Sequence, residues 1–157
     1  MAGSPSERLR ELGLTLPAPA VPVGSYAPVV VEQGLAWVSG QIVTAGGSAV
    51  HPGTVDSEIS ISDARELARR ATLQGLSALA GSLGSIDRVR RVVRVAVYVA
   101  VSPGFRRPHE VANGATDLLL EVFGEAGRPA RVAMGVAGLP LGAPVEVELT
   151  VSVGPMG

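Results

Sequence analysis

The apolar residues of the chain recur with two spacings, and the shorter of the two predicts strands. Two segments alternate apolar residues with others, as a strand buried on one face does. The apolar members of the first segment are Val93, Val95, Val97, Val99 and Val101. Those of the second are Val145, Val147, Leu149, Val151 and Val153, and the residues between them are Glu146, Glu148, Thr150 and Ser152. The second predicted strand therefore carries two carboxylates on its polar face.

The longer spacing, three or four residues, predicts two helices. The apolar positions of the first helix are Ala64, Leu67, Ala68, Ala71, Gly75, Leu79 and Leu83. Those of the second helix are Val111, Ala115, Leu118, Leu119 and Val122. Gly84 and Gly124 follow these runs and are expected to end the helices. Gly114 weakens the second helix by ~1 kcal/mol relative to alanine, which points to close backbone packing at that position.

Residues 1–23 are predicted to form a leading unit ahead of a single domain at residues 24–157. The stretch SPSERLREL predicts a short helix, with Ser4 as the N-cap and Glu7 completing a capping box. Prolines recur in the next stretch, TLPAPAVPVGSY. Because proline has no amide donor, this stretch is expected to be an extended connector that leads to Tyr26.

The stretch APVVVEQGLAWVSGQIV predicts two short strands around a turn at Gln33 and Gly34, since β-branched residues flank a glycine that can adopt positive φ. Alternation divides the second of these strands into one face with Val38 and Gly40 and another with Trp37, Ser39 and Gln41. Glycine and serine are frequent in residues 44–62, which therefore predict a surface loop.

The predicted order of elements is strand, strand, helix, strand, helix, strand, strand, which is typical of an α+β domain with both helices on one face of a sheet. The last two strands, RVAMGV and PVEVELTVSV, are joined by LPLGAP and are expected to pair as a hairpin. Two helices do not cover both faces of a sheet. The second face is therefore expected to meet solvent or another copy of the chain.

Composition narrows the possible functions. The 157 residues suit one domain. A net charge of -1 and only 3% aromatic residues do not favour nucleic acid as a partner. The absence of cysteine excludes disulfides, thiolate nucleophiles and cysteine-bound zinc. With no recognisable signal peptide and no apolar run of about 18 residues, a cytoplasmic protein that does not associate with membranes is expected.

The remaining candidate chemistry lies in Arg131 and Glu146, because no phosphate-binding glycine loop or metal-binding histidine pair occurs, and neither a metal nor a cofactor is predicted. An arginine binds a carboxylate through two parallel hydrogen bonds, and a partly desolvated carboxylate can act as a general base. The same pair could instead be a cross-strand salt bridge on a solvated face. Tyr26 could donate a hydrogen bond or simply pack, and Asn113 could cap a helix or take part in catalysis.

Four stretches carry a family resemblance: GSYAPVV, WVSGQI, VANGATDLLLEVFG and RPARVAMGVAGLPLGAPVEVELTV. In this order they resemble the Rid (reactive intermediate deaminase, YjgF-like) family, from about Tyr26 to Val153. The resemblance implies a chorismate-mutase-like α+β fold, a mixed sheet with two long helices on one face. It also implies a homotrimer with clefts between neighbouring subunits, in which the open sheet faces line an inner barrel.

The resemblance implies an activity, the hydrolysis of a 2-imino acid such as 2-aminoacrylate to a 2-keto acid and ammonia without a cofactor. Arg131 would hold the substrate carboxylate and Glu146 would position and activate a water, with Tyr26 and Asn113 as further catalytic residues. The implied substrate contacts are Arg131, Tyr26, Ser39, Gly40 and Ala133.

Three departures from the compact deaminases leave the substrate open. The chain has an N-terminal extension at roughly residues 4–23, which belongs to a longer subgroup. It has Ala133 where those enzymes often carry cysteine or another polar group, and GSY in place of Gly-Pro-Tyr. The alternatives are a non-catalytic trimer that binds or senses a carboxylate metabolite, and a related enzyme dedicated to one pathway intermediate, for example a biosynthetic one. The charge and aromatic content disfavour the ribonuclease activity for which the family is also named.

Overall fold

A five-stranded sheet with two long helices on one face organises the chain in the computed structural model, which describes residues 3–154. The helices of this part are α1 (Pro5–Glu11), α2 (Ile61–Leu83) and α3 (Pro108–Phe123). The strands are β1 (Val29–Glu32), β2 (Leu35–Gln41), β3 (Thr44–Ala45), β4 (Ser48–Ala49), β5 (Val89–Ala100), β6 (Ala130–Val136) and β7 (Val145–Val153). The sheet has the order β1-β2-β7-β5-β6, in which only β5 and β6 are parallel. The expected α+β fold is confirmed.

The predicted periodicities correspond to buried faces. Every apolar position predicted for the two long helices is buried in α2 or α3. Ser60 caps α2 by accepting a hydrogen bond from the Asp63 amide, and Gly84 ends it with a φ of 84°. In β7 the alternation holds over the whole strand, so that its valines and leucine face the helices while its glutamates face away. We call the side of the sheet that the helices leave uncovered the open face.

The two long helices approach most closely at Gly114. A Cβ built on Gly114 would lie 1.9 Å from the backbone oxygen of Arg65, so that only glycine fits there. Ion pairs from Arg65 to Asp117 (2.5 Å) and from Arg69 to Glu121 (2.6 Å) also join the helices. The close packing expected from Gly114 is therefore present, and it explains a residue that disfavours the helix.

The expected hairpin of β6 with β7 is wrong. β5 lies between these strands, parallel to β6 and antiparallel to β7. The reason is the order β5-α3-β6, because a helix between two strands carries the chain across the sheet and makes those strands parallel neighbours. β6 then occupies one edge of β5, and β7 pairs with the other edge.

Alternation fails at the end of β2. The pairing of β2 with β7 shifts register between Val38 and Gln41, and Gln41 is buried while Gly40 is exposed. Gln41 therefore does not share a face with Trp37, as strict alternation predicted. An irregularity of this kind adds a residue to one strand and moves the following side chains to the opposite face.

A second irregularity affects β5. Its register against β7 shifts between Val92 and Arg94, so that Val92 is fully buried and Val93 is exposed. The strand itself was correctly predicted, but Val93 does not belong to the buried set with Val95. As in β2, the cause is an extra residue that reverses the alternation.

The leading segment has the predicted cap and packs against the domain. The Ser4 hydroxyl accepts from the Glu7 amide, and the Glu7 carboxylate accepts from the Ser4 amide. Ser6 donates to Asp87 through its amide (2.8 Å) and its hydroxyl (2.6 Å). The extended connector lies against α2, because the Ser77 hydroxyl of that helix donates to the Pro17 carbonyl. The domain boundary at residues 23 and 24 stays a prediction.

Residues 44–62 are more ordered than the predicted surface loop. They contain the hairpin of β3 and β4, and the side chains of Val55 and Ile59 are buried in the core. Glycine and serine here supply turns rather than a loop without structure. Among residues 3–154, no helix is long and apolar enough to cross a membrane.

Replacing Gly114 by alanine is expected to destabilise the protein by about 1–3 kcal/mol or more, because the new methyl group collides with backbone rather than with a movable side chain. The matched control is Gly81→Ala, a helical glycine of α2 that is exposed, where the new Cβ would lie 3.5 Å from Pro19. That change is expected to stabilise the helix by about 0.5–1 kcal/mol. Urea unfolding of both variants checks the prediction, which is contradicted if Gly114→Ala unfolds at the wild-type midpoint.

Candidate functional site

The open face of the sheet borders a cleft of about 740 Å³. Four of the residues singled out from the sequence line it, namely Tyr26, Ser39, Gly40 and Glu146. Tyr26 is 52% exposed at the end of the connector, and the Ser39 hydroxyl donates to the Ala27 carbonyl at 2.7 Å. The bulged end of β2 thus brings Ser39 and Gly40 beside the first glutamate of β7.

Glu146 fits against the backbone of Gly40. A Cβ built on Gly40 would lie 2.0 Å from Glu146 Oε1, so that the carboxylate occupies the space that any other residue would fill. The side chain is half-buried. Burial raises the pKa of Glu146, and the negative charge of Glu148 raises it further. A carboxyl with a raised pKa exchanges protons closer to neutral pH, as a general base requires.

Glu148 has a different set of contacts on the same face. It forms an ion pair with Arg94 at 3.0 Å, and it lies near Tyr98. Burial raises the pKa of the Tyr98 hydroxyl, and the charge of Glu148 raises it further. Alternation alone left open which glutamate serves the site. The structure distinguishes them, because Glu146 lines the cleft whereas Glu148 is paired with an arginine.

Arg131 lies on the other face of the sheet. Residues paired directly across strands share a face, and Arg131 pairs with Val95, which pairs with the buried Leu149. The Arg131 side chain accordingly reaches α3, where its Nη1 donates to Asn113 Oδ1 at 2.7 Å and to Thr116 Oγ1 at 3.2 Å. Both acceptors are neutral, so these contacts orient the guanidinium without compensating its charge.

Within one chain, therefore, Arg131 and Glu146 do not meet. Glu146 pairs across the sheet with Tyr98, and Tyr98 pairs with Met134, all on the open face. Ala133, two residues after Arg131, packs against the core on the helix-covered face. The predicted residues thus form two groups on opposite faces. Tyr26, Ser39, Gly40 and Glu146 line the cleft, whereas Arg131, Asn113 and Ala133 lie on the side of α3.

Several residues of these two groups were not predicted from the sequence. The connector contributes Ala20, Val21, Pro22 and Val23 to the wall of the cleft, and the turn before β7 contributes Pro140 and Leu141. Thr116 supports Arg131 beside Asn113. The spacing of three between Asn113 and Thr116 puts them on one side of a helix and could have signalled a shared role. No comparable pattern marks the connector.

The described part of the chain offers no clear metal site. Between residues 3 and 154, no group of three or more His, Asp or Glu side chains is placed to hold an ion. The polar residues that line the cleft are Glu146, Tyr26, Ser39, Gln41 and Thr44, together with exposed backbone at Gly40. Such a set can bind and activate a water next to a small organic ligand.

Comparison with known proteins identifies related sequences and structures. A family model described as "YjgF/chorismate mutase-like, putative endoribonuclease" matches residues 6–152. Protein TCP17 of Trypanosoma cruzi is 41% identical over 151 residues, which cover 96% of this chain and 94% of that protein.

Solved structures extend the likeness to the leading segment. The protein Atu1372 with unknown function from Agrobacterium tumefaciens is 35% identical, with a TM-score of 0.87 over 96% of this chain and 92% of its own. A "putative endoribonuclease" from Shewanella oneidensis is 29% identical, with a TM-score of 0.91 over 96% of this chain and 100% of its own. With so little of the chain left uncovered, both matches include most of α1 and the connector.

Replacing Glu146 by glutamine is expected to stabilise the protein at neutral pH. A raised pKa means that the folded state holds the Glu146 proton more tightly than the unfolded state does. Wild-type stability therefore falls as pH rises from the ordinary carboxyl pKa, about 4.3, through the raised value, and stays lower above it. Glutamine has no charge to bury, so this loss of stability does not occur in the variant. The free energy of unfolding of Glu146→Gln should therefore exceed that of wild type at pH 7 and equal it near pH 4.

Thermal unfolding of both proteins at the two pH values, at equal concentration, measures this gain. A Glu146→Gln variant that is less stable than wild type at pH 7 would show that the carboxylate is better stabilised in the folded chain than burial and Glu148 imply.

Proposed function

The chain belongs to the YjgF/chorismate mutase-like family, and we propose that it is a hydrolase that converts 2-imino acids to 2-keto acids and ammonia. The observation that carries the proposal is the half-buried carboxylate of Glu146, which lines the cleft and has a raised pKa. The proposed place of action is the cytoplasm, where enzymes that use pyridoxal phosphate release such imines.

In the proposed reaction, Glu146 removes a proton from a water while the oxygen of that water attacks the imine carbon. The imine nitrogen gains a proton, so that the product of this step is a carbinolamine. The hydroxyl proton of the carbinolamine then passes to its amino nitrogen, by way of Glu146 or water, as the C–N bond breaks and the nitrogen keeps the electron pair, which leaves a keto group and releases ammonia. Because imines hydrolyse readily, the protein has only to orient the reactants and supply a base. No cofactor is needed for these steps.

The second requirement is a group that holds the substrate carboxylate, and Arg131 has the right chemistry. Its Nη1 is held by Asn113 and Thr116, and a guanidinium so oriented can bind a carboxylate through its other nitrogens. Arg131 and Glu146 lie on opposite faces of one sheet. For both to touch one substrate, Arg131 of one copy has to approach the cleft of a neighbouring copy.

We propose that this approach occurs in a homotrimer. The edge that carries Arg131 and the cleft that holds Glu146 are different surfaces, so contact between them is head-to-tail, and a head-to-tail contact forms a ring when its rotation closes. The open face supports such an assembly because Trp37, Val93 and Met134 are 43%, 39% and 44% exposed on it. The number three rests on the family resemblance.

The endoribonuclease in the names of the relatives is not favoured by this chain. A net charge of -1 gives no field that attracts a phosphate backbone, and 3% aromatic residues provide few surfaces for stacking bases. The Glu146 carboxylate in the wall of the cleft would also repel phosphate. RNA hydrolysis therefore serves as a control activity in the tests below.

Two substitutions test the assigned roles by keto-acid formation from enzymatically generated 2-imino acids, with the spontaneous rate subtracted. Glu146→Gln is expected to lower kcat by about 100-fold with little change in KM, because it removes only the base. Arg131→Ala is expected to raise KM and lower kcat/KM by about 100-fold, since a charged hydrogen-bonding partner is lost.

Arg128→Ala provides the matched control, an exposed arginine three residues away that pairs with Glu125 at 2.9 Å. It should retain wild-type kinetics. Binding of 2-keto acids without any acceleration of imine hydrolysis would instead indicate a metabolite-binding trimer. An RNA-cleaving activity that is lost with Glu146→Gln would instead favour the endoribonuclease activity for which the relatives are named.

A mixing experiment tests whether two chains form each site. Arg131→Ala and Glu146→Gln subunits, each with about a hundredth of the wild-type activity expected on its own, are unfolded together and refolded as mixed oligomers. If Arg131 and Glu146 come from neighbouring chains, about a quarter of the sites in an equal mixture contain both native residues and activity returns to about that level. A site formed within one chain would leave the mixture no more active than the two variants alone.

Glu148 is expected to set the pH at which Glu146 gains its proton. The negative charge of Glu148 raises the pKa of Glu146, and Glu148 also neutralises Arg94. In Glu148→Gln the repulsion is gone and the charge of Arg94 is uncovered, and both changes lower the pKa of Glu146. The acid limb of the kcat profile should therefore move to lower pH while the rate on the neutral plateau is kept. An acid limb that stays in place would exclude Glu146 as the titrating base.

A further inference from the structure

The most exposed aliphatic side chains of the described residues lie on one cleft. Among the large apolar residues with high exposure, Val23 is 96% exposed, Val21 is 84% exposed and Leu141 is 62% exposed. All three line the cleft that contains Glu146. Leaving such side chains in water forgoes the favourable free energy of burying them, and exposed apolar side chains that converge on a cleft are typical of binding surfaces.

The connector that carries Val21 and Val23 is anchored to α2 upstream of them. Upstream of them, the Pro17 carbonyl accepts a hydrogen bond from Ser77 of α2, and Pro19 lies next to Gly81. Proline fixes φ and limits the conformations of its neighbours, and Pro22 stands between the two valines. The two side chains are therefore presented to the cleft by a preorganised segment, which lowers the entropy cost of binding a ligand against them.

Leu141 reaches the same cleft from a strained turn. It lies in the turn Pro140–Gly142 with a φ of 58°, the left-handed conformation that a leucine rarely adopts. The turn is tied down where the Gly142 carbonyl accepts from the Gly53 amide at 3.0 Å. Strain at an exposed apolar residue is often maintained for a functional reason, and here the strained residue faces a binding site.

The size of the cleft agrees with a substrate that extends beyond its reacting end. A volume of about 740 Å³ is several times that of a three-carbon imino acid. Glu146 and Gly40 contribute a polar part of the wall, and the connector valines and Leu141 supply an apolar remainder. A small imine would leave that remainder in contact with water.

We propose that Val21, Val23 and Leu141 form a side-chain pocket that selects substrates with a branched aliphatic or aromatic side chain. The proposal rests on the proposed function for the carboxylate and imine of the substrate. It assigns to the N-terminal connector a specificity role beyond the catalytic groups, and it makes 2-imino acids with large apolar side chains the preferred class.

The test compares kcat/KM for imines generated from alanine, leucine and phenylalanine. The informative variant is the double replacement Val21→Thr with Val23→Thr, because threonine keeps the shape and β-branching of valine and changes only one methyl group to a hydroxyl. Ala18→Thr is the matched control, since it adds the same residue to an exposed connector position that does not line the cleft.

Wild type and the control are expected to hydrolyse the leucine and phenylalanine imines at least about tenfold more efficiently than the alanine imine. The double variant should lose about tenfold for the large imines and retain its rate on the alanine imine. Equal efficiency for all three imines in wild type, or an equal loss for all three in the variant, would overturn the proposal.

A second readout separates this proposal from the proposed function. Calorimetry with pyruvate and with 4-methyl-2-oxopentanoate measures binding without catalysis. A preference for the larger keto acid that the double variant loses supports the pocket even if no imine is hydrolysed. Imine hydrolysis without such a preference supports the function and overturns the pocket. A change of oligomer mass in the double variant would assign Val21 and Val23 to a contact between copies and would also overturn it.

Discussion

The pairing of β5 with strands on both of its sides determines on which face of the sheet Arg131 and Glu146 lie. Residues that pair directly across a sheet share a face, so Arg131 follows Val95 and Leu149 toward the helices, and Glu146 follows Tyr98 toward the open face. This constraint cannot be relieved by rotating side chains, because the alternation is a property of the strand backbone. It leaves the Glu146 carboxylate and the Arg131 guanidinium of a single chain on opposite faces of the sheet.

Elements with their own periodicity could be predicted from the sequence. The alternation of β7 and the three- and four-residue spacing in α2 depend only on residues within each element, and both hold in the structure. The neighbours of β6 and β7 could not be predicted from the LPLGAP turn. Strand order depends on contacts between distant segments, here on the crossover from β5 through α3. The bulges that expose Gly40 and Val93 also follow from tertiary pairing rather than from local pattern.

The candidate site likewise contains residues that could be predicted from the sequence and residues that could not. Glu146 could be singled out because a charged residue inside a valine-rich strand is unusual, and the structure adds the contact with Gly40 and the raised pKa. The connector could be recognised as extended from its prolines, but nothing in its composition indicated that it would border Glu146. Its position results from hydrogen bonding to α2, about sixty residues further along the chain.

In the connector, the shape of the cleft can change with little effect on the stability of the fold. Its valines are almost fully exposed, so replacing them removes little of the buried contact area that stabilises the domain. The core residues of α2, α3 and β7, by contrast, tolerate few changes because they are closely packed. Descendants of such a chain could accumulate substitutions in the connector and alter the shape of the cleft while the core and Glu146 stay as they are. Exposed connector positions that contribute little to stability are thereby free to evolve.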